Sequence, residues 1–241
     1  MKKKIKQILI LNGGTGTRVK SISKGGPKCL IKICNKTFLY LQLGEIKRQG
    51  IKDIVISCGY KSQMIIDEIK KKYIKDLNLN IKISTEKKKL GTGGAILNAY
   101  KYLDDCFFVT YGDSWLNVNY KEVGKKFINS KKSSIMTLIN VSSVKNHKPN
   151  ILLKNNKIVS YKKNNNDKSF KYIDYGLIAF KKNIFLNFKK NFVLKKFDLK
   201  KIIKGLIKKN ELIGHVVKKK FYTIGTPEDI FQFKKIIKKV K

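Results

Sequence analysis

Short apolar runs alternate with helix-periodic stretches along the first half of this chain. Gln7 to Leu11 is a compact apolar run after a lysine-rich start, and reads as a buried strand. Thr37 is placed to cap a helix through Gln49, with Phe38, Leu41 and Ile46 available to a core and Gly50 after its end. Asp53 to Cys58 reads as a second buried strand, and Gly59-Tyr60 turns the chain into a helix through Tyr73. In Asn80 to Thr85, Ile81 and Ile83 alternate with lysine and serine, which predicts a third strand. Leu90 to Ala95 is rich in glycine and is expected to be a loop opening a helix to Tyr102. Cys106 to Tyr111 is a fourth buried strand, ending in Gly112-Asp113. This alternation of strand and helix predicts an α/β fold with a mostly parallel sheet covered on both faces. Right-handed crossovers would bring both glycine runs and Asp113 to the carboxyl edge of that sheet, where such folds bind ligands.

The second half is less regular. Ile135 to Val141 reads as a strand, and Ile151–Leu153 and Ile158–Tyr161 flank Asn155-Asn156, a hairpin signal. Asn164 to Ser169 reads as a polar loop, and Tyr172 to Phe180 as a strand interrupted at Gly176. Asp198 is positioned to cap a helix to Lys209. Thr226-Pro227-Glu228 starts the last helix, with proline and acids near its positive end. Neither an internal repeat nor a linker stands out, so residues 1–241 are read as a single domain.

Composition changes this picture little. With 241 residues and 42% hydrophobic content the chain can build a sizeable core. The net charge of +39 raises the question of nucleic acid, but the lysines run through the whole length rather than clustering. That spread is read as compositional bias, with salt-sensitive sticking to nucleic acid but no specific nucleic-acid partner. Cysteines at 29, 34, 58 and 106 match no zinc spacing, and read as reduced thiols of a cytoplasmic protein. No apolar stretch is long enough for a membrane span, and the run after the basic start leads straight into glycines instead of a cleavage site.

The candidate chemistry begins at that junction. Leu11-Asn12-Gly13-Gly14-Thr15-Gly16-Thr17-Arg18 follows the first strand, and Pro27-Lys28 comes nine residues later. Glycines at a strand end let polyphosphate approach converging backbone N–H groups, and Arg18 and Lys28 supply charge there. Of 55 basic residues only Arg18 and Arg48 are arginine, so an arginine beside the glycines marks a need for a planar, two-pronged donor. Arg48, beside Lys47 on a helix, reads as an ordinary surface residue. Asp113 is either a turn residue or an acid aimed at the ligand edge. Trp115 and Tyr111 are packing or substrate-stacking groups. His147 and His215 have no partner motif.

Taken in order, Gly13 to Arg18, Pro27-Lys28, Leu90-Gly91-Thr92-Gly93-Gly94-Ala95, Tyr111-Gly112-Asp113, Asp174-Tyr175-Gly176 and Ile224-Gly225-Thr226-Pro227 resemble the sugar-1-phosphate nucleotidyltransferases, or nucleotide-diphospho-sugar pyrophosphorylases. The length is similar to that of the bacterial branch holding heptose-1-phosphate and mannose-1-phosphate guanylyltransferases. The resemblance implies a Rossmann-like mixed sheet, with residues 1–115 as the nucleotide-binding half and 116–241 as the sugar-phosphate-binding half. It implies attack of a sugar-1-phosphate on the α-phosphorus of a nucleoside triphosphate, serving cell-surface polysaccharide synthesis. Arg18, Lys28 and Asp113 would be catalytic, with Asp113 holding Mg²⁺. Leu11, Asn12, Gly13, Gly14, Gly16, Thr17, Gly91, Thr92, Gly93 and Gly112 would contact the nucleotide. Lys163, Asp174 and Gly176 would face the sugar phosphate.

The chain also departs from the family pattern. Asn12 stands where the family usually has alanine, and Lys162-Lys163-Asn164 replaces the usual Glu-Lys-Pro. Thr223 stands where the family commonly has a second metal carboxylate, two residues before the final Gly-Thr. A guanylyltransferase for heptose- or mannose-1-phosphate is the narrowest reading. A cytidylyltransferase for another small phosphorylated acceptor, and a noncatalytic nucleotide sensor, are the alternatives. Base, sugar and oligomeric state are not encoded in these motifs.

Overall fold

The computed structural model describes residues 4–14, 16–144, 147–162, 167–188 and 195–240. Its strands are β1 (Gln7–Asn12), β2 (Lys32–Ile33), β3 (Lys36–Thr37), β4 (Asp53–Cys58), β5 (Asn80–Thr85), β6 (Cys106–Tyr111) and β7 (Ser114–Trp115) in the first half. The second half adds β8 (Ser134–Asn140), β9 (Ile151–Lys154), β10 (Lys157–Tyr161), β11 (Tyr172–Lys181), β12 (Leu212–Val217) and β13 (Tyr222–Thr223). The described α-helices are α1 (Phe38–Arg48), α2 (Ser62–Lys70), α3 (Lys72–Lys75), α4 (Gly91–Asn98), α5 (Tyr120–Ser130), α6 (Leu199–Lys208) and α7 (Pro227–Val240).

Nine strands form one sheet in the order β5-β4-β1-β6-β11-β8-β12-β10-β9. The four strands read from the first half are mutually parallel, joined by helical crossovers. β11 runs antiparallel to both β6 and β8, so the second half extends the sheet with mixed direction. Side chains of β1 show why both faces are covered. Ile8 and Ile10 enter a core with α1, α2 and α5, while Leu9 and Leu11 enter a second core with α4 and α6. The continuous apolar run therefore reflects burial on two sides. A third cluster under α7 joins Val19, Ile31, Ile33 and Phe38 to Ile224, Ile230, Phe233 and Ile237, and ties the end of the chain to its first loop.

Local signals behave as their chemistry dictates. Thr37 caps α1, its hydroxyl accepting from the Tyr40 N–H at 3.3 Å. Asn155 and Asn156 both take positive φ, 46° and 60°, in the β9–β10 hairpin, as the Asn-Asn pair predicts. The β11 strand carries an irregularity between Asp174 and Ile178, around Gly176 at φ 105°. Glu45 accepts from Arg48 on α1, so that arginine is a surface ion-pair residue.

The second glycine run differs from expectation. It is not a loop: α4 starts at Gly91 and includes Thr92, Gly93 and Gly94. The glycines are needed for packing against the segment before α6. A Cβ on Gly93 would lie 2.3 Å from Phe197 Cε2, and one on Gly94 would lie 3.0 Å from the Lys195 carbonyl oxygen. The Phe197 carbonyl accepts from Gly93 N–H at 3.0 Å and Gly94 N–H at 3.2 Å, satisfying donors at the start of the helix. The second half of the chain thus caps this helix. Gly93→Ala is expected to destabilise the protein by about 1–3 kcal/mol through overpacking against Phe197. A denaturant melt would show it, and Phe197→Leu in the same chain should restore part of the loss. An unchanged midpoint for Gly93→Ala would contradict the packing.

Candidate functional site

β4, β1 and β6 end side by side, and a cleft of about 270 Å³ opens beyond their carboxyl ends. Leu11 to Gly14 form one wall and Tyr111 to Asp113 another. Gly91, Thr92 and Ala95 of α4 face them, while Pro27-Lys28 lies across the opening.

The spacing of the first motif has a geometric cause. Gly16 takes φ 66°, and a Cβ there would sit 2.6 Å from Lys28 Cγ. The glycine run therefore folds over the stem of Lys28, a close approach closed to other residues. Lys28 extends from that crossing to Asp113, and the two side chains form an ion pair, 18% and 28% exposed. Ser114 Oγ also donates to Asp113 Oδ1 at 3.4 Å. Next to them Gly112 packs so tightly on Asn12 that a Cβ at 112 would lie 1.7 Å from Asn12 Oδ1. The unusual Asn12 is thus buried against the β6 turn.

Arg18 stands outside the cleft wall, in the short 3₁₀ turn Thr17–Val19, with Thr17 and Arg18 both exposed. Its Nη2 lies 3.7 Å from the point a Cβ on Gly225 would occupy, and Thr223 Oγ1 and Asp229 Oδ2 lie 3.8 and 3.4 Å from that same point. β13 pairs with β7, with Thr223 opposite Ser114, so Thr223 is beside the Asp113 turn. The Thr223 hydroxyl donates to Asp229 Oδ2 at 2.8 Å. Asp229 also accepts from Thr226 N–H, and Thr226 Oγ1 from Asp229 N–H, a reciprocal cap on α7. A carboxylate is therefore present close to the strand position that lacks one, supplied from the helix.

The sugar-side residues are placed differently. Asp174 does not line the cleft but lies behind Tyr111, whose hydroxyl makes a long contact to Asp174 Oδ2 at 3.5 Å. Gly176 N–H donates to Asp174 Oδ1 at 2.8 Å, and Gly176 itself packs on Leu116. Burial raises the Asp174 carboxyl to about 6, opposed by those two hydrogen bonds. Gly93, expected at the nucleotide, is off the cleft because Phe197 covers it. Lys163 lies outside the described residues. Trp115 packs on Phe233, 5.3 Å between ring centres, whereas Tyr111 lines the cleft. His215 lies on β12, 3.7 Å from Glu122, and burial lowers its pKa.

Glu86, which the sequence did not single out, and Asp198, read there only as a helix cap, also line the cleft. Glu86 follows the last residue of β5, and its position at a parallel strand's carboxyl end was the available signal. Its Oε1 accepts from Ser57 Oγ at 3.2 Å and its Oε2 from Leu90 N–H at 3.1 Å. Among the described residues no cluster of three or more metal-ligating side chains occurs, and no helix is long and apolar enough to cross a membrane.

A profile of the family described as Nucleotidyl transferase matches residues 7–240. The chain is 31% identical over 232 residues to the D-glycero-alpha-D-manno-heptose 1-phosphate guanylyltransferase of Campylobacter jejuni, covering 94% of this chain and 98% of that one. It is 26% identical to the protein of the same name from Aneurinibacillus thermoaerophilus, over 92% and 94% of the two chains. Among solved structures, HddC from Yersinia pseudotuberculosis complexed with GMP-PN superimposes with a TM-score of 0.73 at 27% identity, covering 97% of this chain and all of that one. The chain belongs to the nucleotidyl transferase family and is a nucleotidyltransferase.

The raised Asp174 carboxyl makes stability depend on pH. An acid with a folded pKa above its ordinary value stabilises the fold fully below that ordinary value, and the contribution is lost as pH rises through about 6. Asp174→Asn imitates the protonated form. Its melting temperature should match wild type near pH 4 and exceed it at pH 8. A gap that stays constant across this range would show that Asp174 is not held in an unfavourable setting.

Proposed function

We propose that this nucleotidyltransferase moves a guanylyl group from GTP to a heptose- or mannose-1-phosphate, giving a GDP-sugar and pyrophosphate. The observation that carries the substrate reading is the likeness to heptose-1-phosphate guanylyltransferases over 94% and 92% of this chain. The cleft adds chemical support for guanine. Glu86 is an acceptor-only group with about four lone-pair sites, of which two are used by Ser57 and Leu90. The remaining two suit the adjacent N1–H and N2–H donors on guanine's pairing edge.

In this reading Leu11, Asn12, Gly91, Thr92 and Gly112 surround the nucleoside. Gly13, Gly14, Gly16 and Thr17 carry the triphosphate, with Arg18 holding its β- and γ-phosphates. Lys28 bridges the nucleotide and sugar phosphates. An oxygen of the sugar phosphate attacks the α-phosphorus in line, the bond to the β-phosphate oxygen breaks, and pyrophosphate leaves with Arg18 balancing its charge. Asp174, through Tyr111, and the bulge at Gly176 shape the sugar end, with Lys163 as a further candidate for the sugar phosphate.

The donor set fits magnesium in part. Asp113 offers a carboxylate at the cleft, and Asp229 stands behind Thr223 as a second acid near the same turn. Magnesium held by Asp113 and phosphate oxygens would supply charge neutralisation at the reacting phosphate. Lys28 would then exchange its bond to Asp113 for one to phosphate.

Pyrophosphate release from four nucleoside triphosphates against a panel of sugar-1-phosphates tests the reading. GTP with a heptose- or mannose-1-phosphate should be the preferred pair; preference for CTP or UTP would refute it. Glu86→Gln replaces one acceptor oxygen with an amide donor, and should cut the preference for GTP over ATP by roughly tenfold, the scale of one misplaced polar contact. An unaltered ratio would remove Glu86 from base reading. Asp113→Asn should abolish magnesium-dependent turnover while circular dichroism stays unchanged. Normal turnover at low magnesium would make Asp113 a turn residue only.

A further inference from the structure

Gln42 sits in the middle of α1, 3% exposed, on a helix that is otherwise buried through apolar side chains. Its Nε2 donates to the Tyr111 carbonyl at 2.9 Å and to the Ser114 carbonyl at 2.8 Å. These two carbonyls bracket Gly112-Asp113. One amide group therefore spans the whole turn from the opposite side of the core, using both of its protons.

The turn needs such a partner. Tyr111 is the last β6 residue in register with β1, opposite Leu11, and the chain then leaves the sheet toward β7. The Gly112 N–H still reaches the Leu11 carbonyl at 3.0 Å, and the Asp113 carbonyl accepts from Ile224 N–H at 3.1 Å. The carbonyls of Tyr111 and Ser114 point the other way, into the core, where an unpaired acceptor is disfavoured. The amide cannot be turned over, since that would set its oxygen against both carbonyls. Gln42 Oε1 has no hydrogen-bond partner among the described residues, so the side chain is oriented by its donors alone. A buried residue that leaves its acceptor unpaired in order to hold one turn is poorly explained by core packing.

We propose that Gln42 is a positioning residue for Asp113: it fixes the backbone at both ends of the turn, and so the direction in which the carboxylate meets magnesium and Lys28. The inference rests on the reading of Asp113 as the magnesium carboxylate. It does not place Gln42 in contact with substrate. Outer partners of metal-binding carboxylates commonly change metal affinity or activity by roughly 10- to 100-fold when removed.

Gln42→Met keeps the length and removes both donors. With circular dichroism and thermal melts as fold controls, pyrophosphate release is titrated with magnesium, and Mn²⁺ binding to the protein with a nonhydrolysable GTP is followed by electron paramagnetic resonance. The expected result is roughly a tenfold or larger rise in the metal concentration needed for half-maximal rate and for Mn²⁺ binding, with the KM for sugar phosphate little changed. Gln42→Glu serves if the methionine variant fails to fold. Its carboxylate has no donor, but protonation restores one, so its turnover relative to wild type should rise as pH falls. Wild-type metal dependence in a folded Gln42→Met, or a flat pH ratio for Gln42→Glu, overturns the proposal when Asp113→Asn is inactive in parallel. Full activity of Asp113→Asn instead overturns the site reading on which the proposal depends.

Discussion

The turn that follows β6 admits no side chain at position 112. Asn12 Oδ1 lies within 1.7 Å of where a Cβ would stand, so β1 and β6 close on each other through glycine alone. This contact sets the depth of the cleft and the path of the chain into β7. From there the other parts take their places: Lys28 reaches Asp113 under the first glycine run, and β7 pairs with β13, which brings in the end of the chain. β6 also lies between the parallel strands and antiparallel β11. A shift at Gly112-Asp113 would therefore be felt by both halves of the sheet and by the helix start at Pro227.

Charge is used sparingly at this turn, although lysine is abundant elsewhere. Lys28 and Asp113 neutralise each other in a partly enclosed position, where ion pairing is screened less than on the open surface. Beside this turn Thr223 carries no charge of its own, but its hydroxyl donates to Asp229 at 2.8 Å and brings a carboxylate to the same strand. The same acid caps α7, and its Oδ2 and the Arg18 Nη2 lie 3.4 and 3.7 Å from the point a Cβ on Gly225 would occupy. A single carboxylate serving both a cap and a hydroxyl ties β13 to the start of α7 across Gly225.

Much of the fold was legible because β1, β4 and β6 are buried on both faces, while edge strand β5 alternates between partly buried and exposed side chains. β4, β5 and β6 begin and end where their apolar or alternating runs do, and the Asn-Asn hairpin follows from its turn chemistry. Longer-range causes were not legible. The second glycine run looks like a phosphate loop, but its composition answers to Phe197, about a hundred residues away. α5 carries Tyr120, Val123 and Phe127 at helical spacing, yet its lysines and glycine mask the pattern; β12 mixes Gly214 and His215 into a short apolar run. At the site, the glycine motif, Lys28 and Asp113 stood out by type and order. Glu86 did not, because three lysines follow it and make it resemble a solvated charge. Gln42 was invisible, since only the crossing of α1 beneath the β6 turn reveals what a buried amide bonds to.

The most direct measurement is a crystal structure of the protein with magnesium and a nonhydrolysable GTP. The triphosphate is expected along Gly13 to Gly16 with Arg18 at its far end and guanine facing Glu86, with Asp113 holding the metal and Lys28 turned to phosphate. A nucleotide bound elsewhere, or a metal held in the cleft without Asp113, would contradict this arrangement.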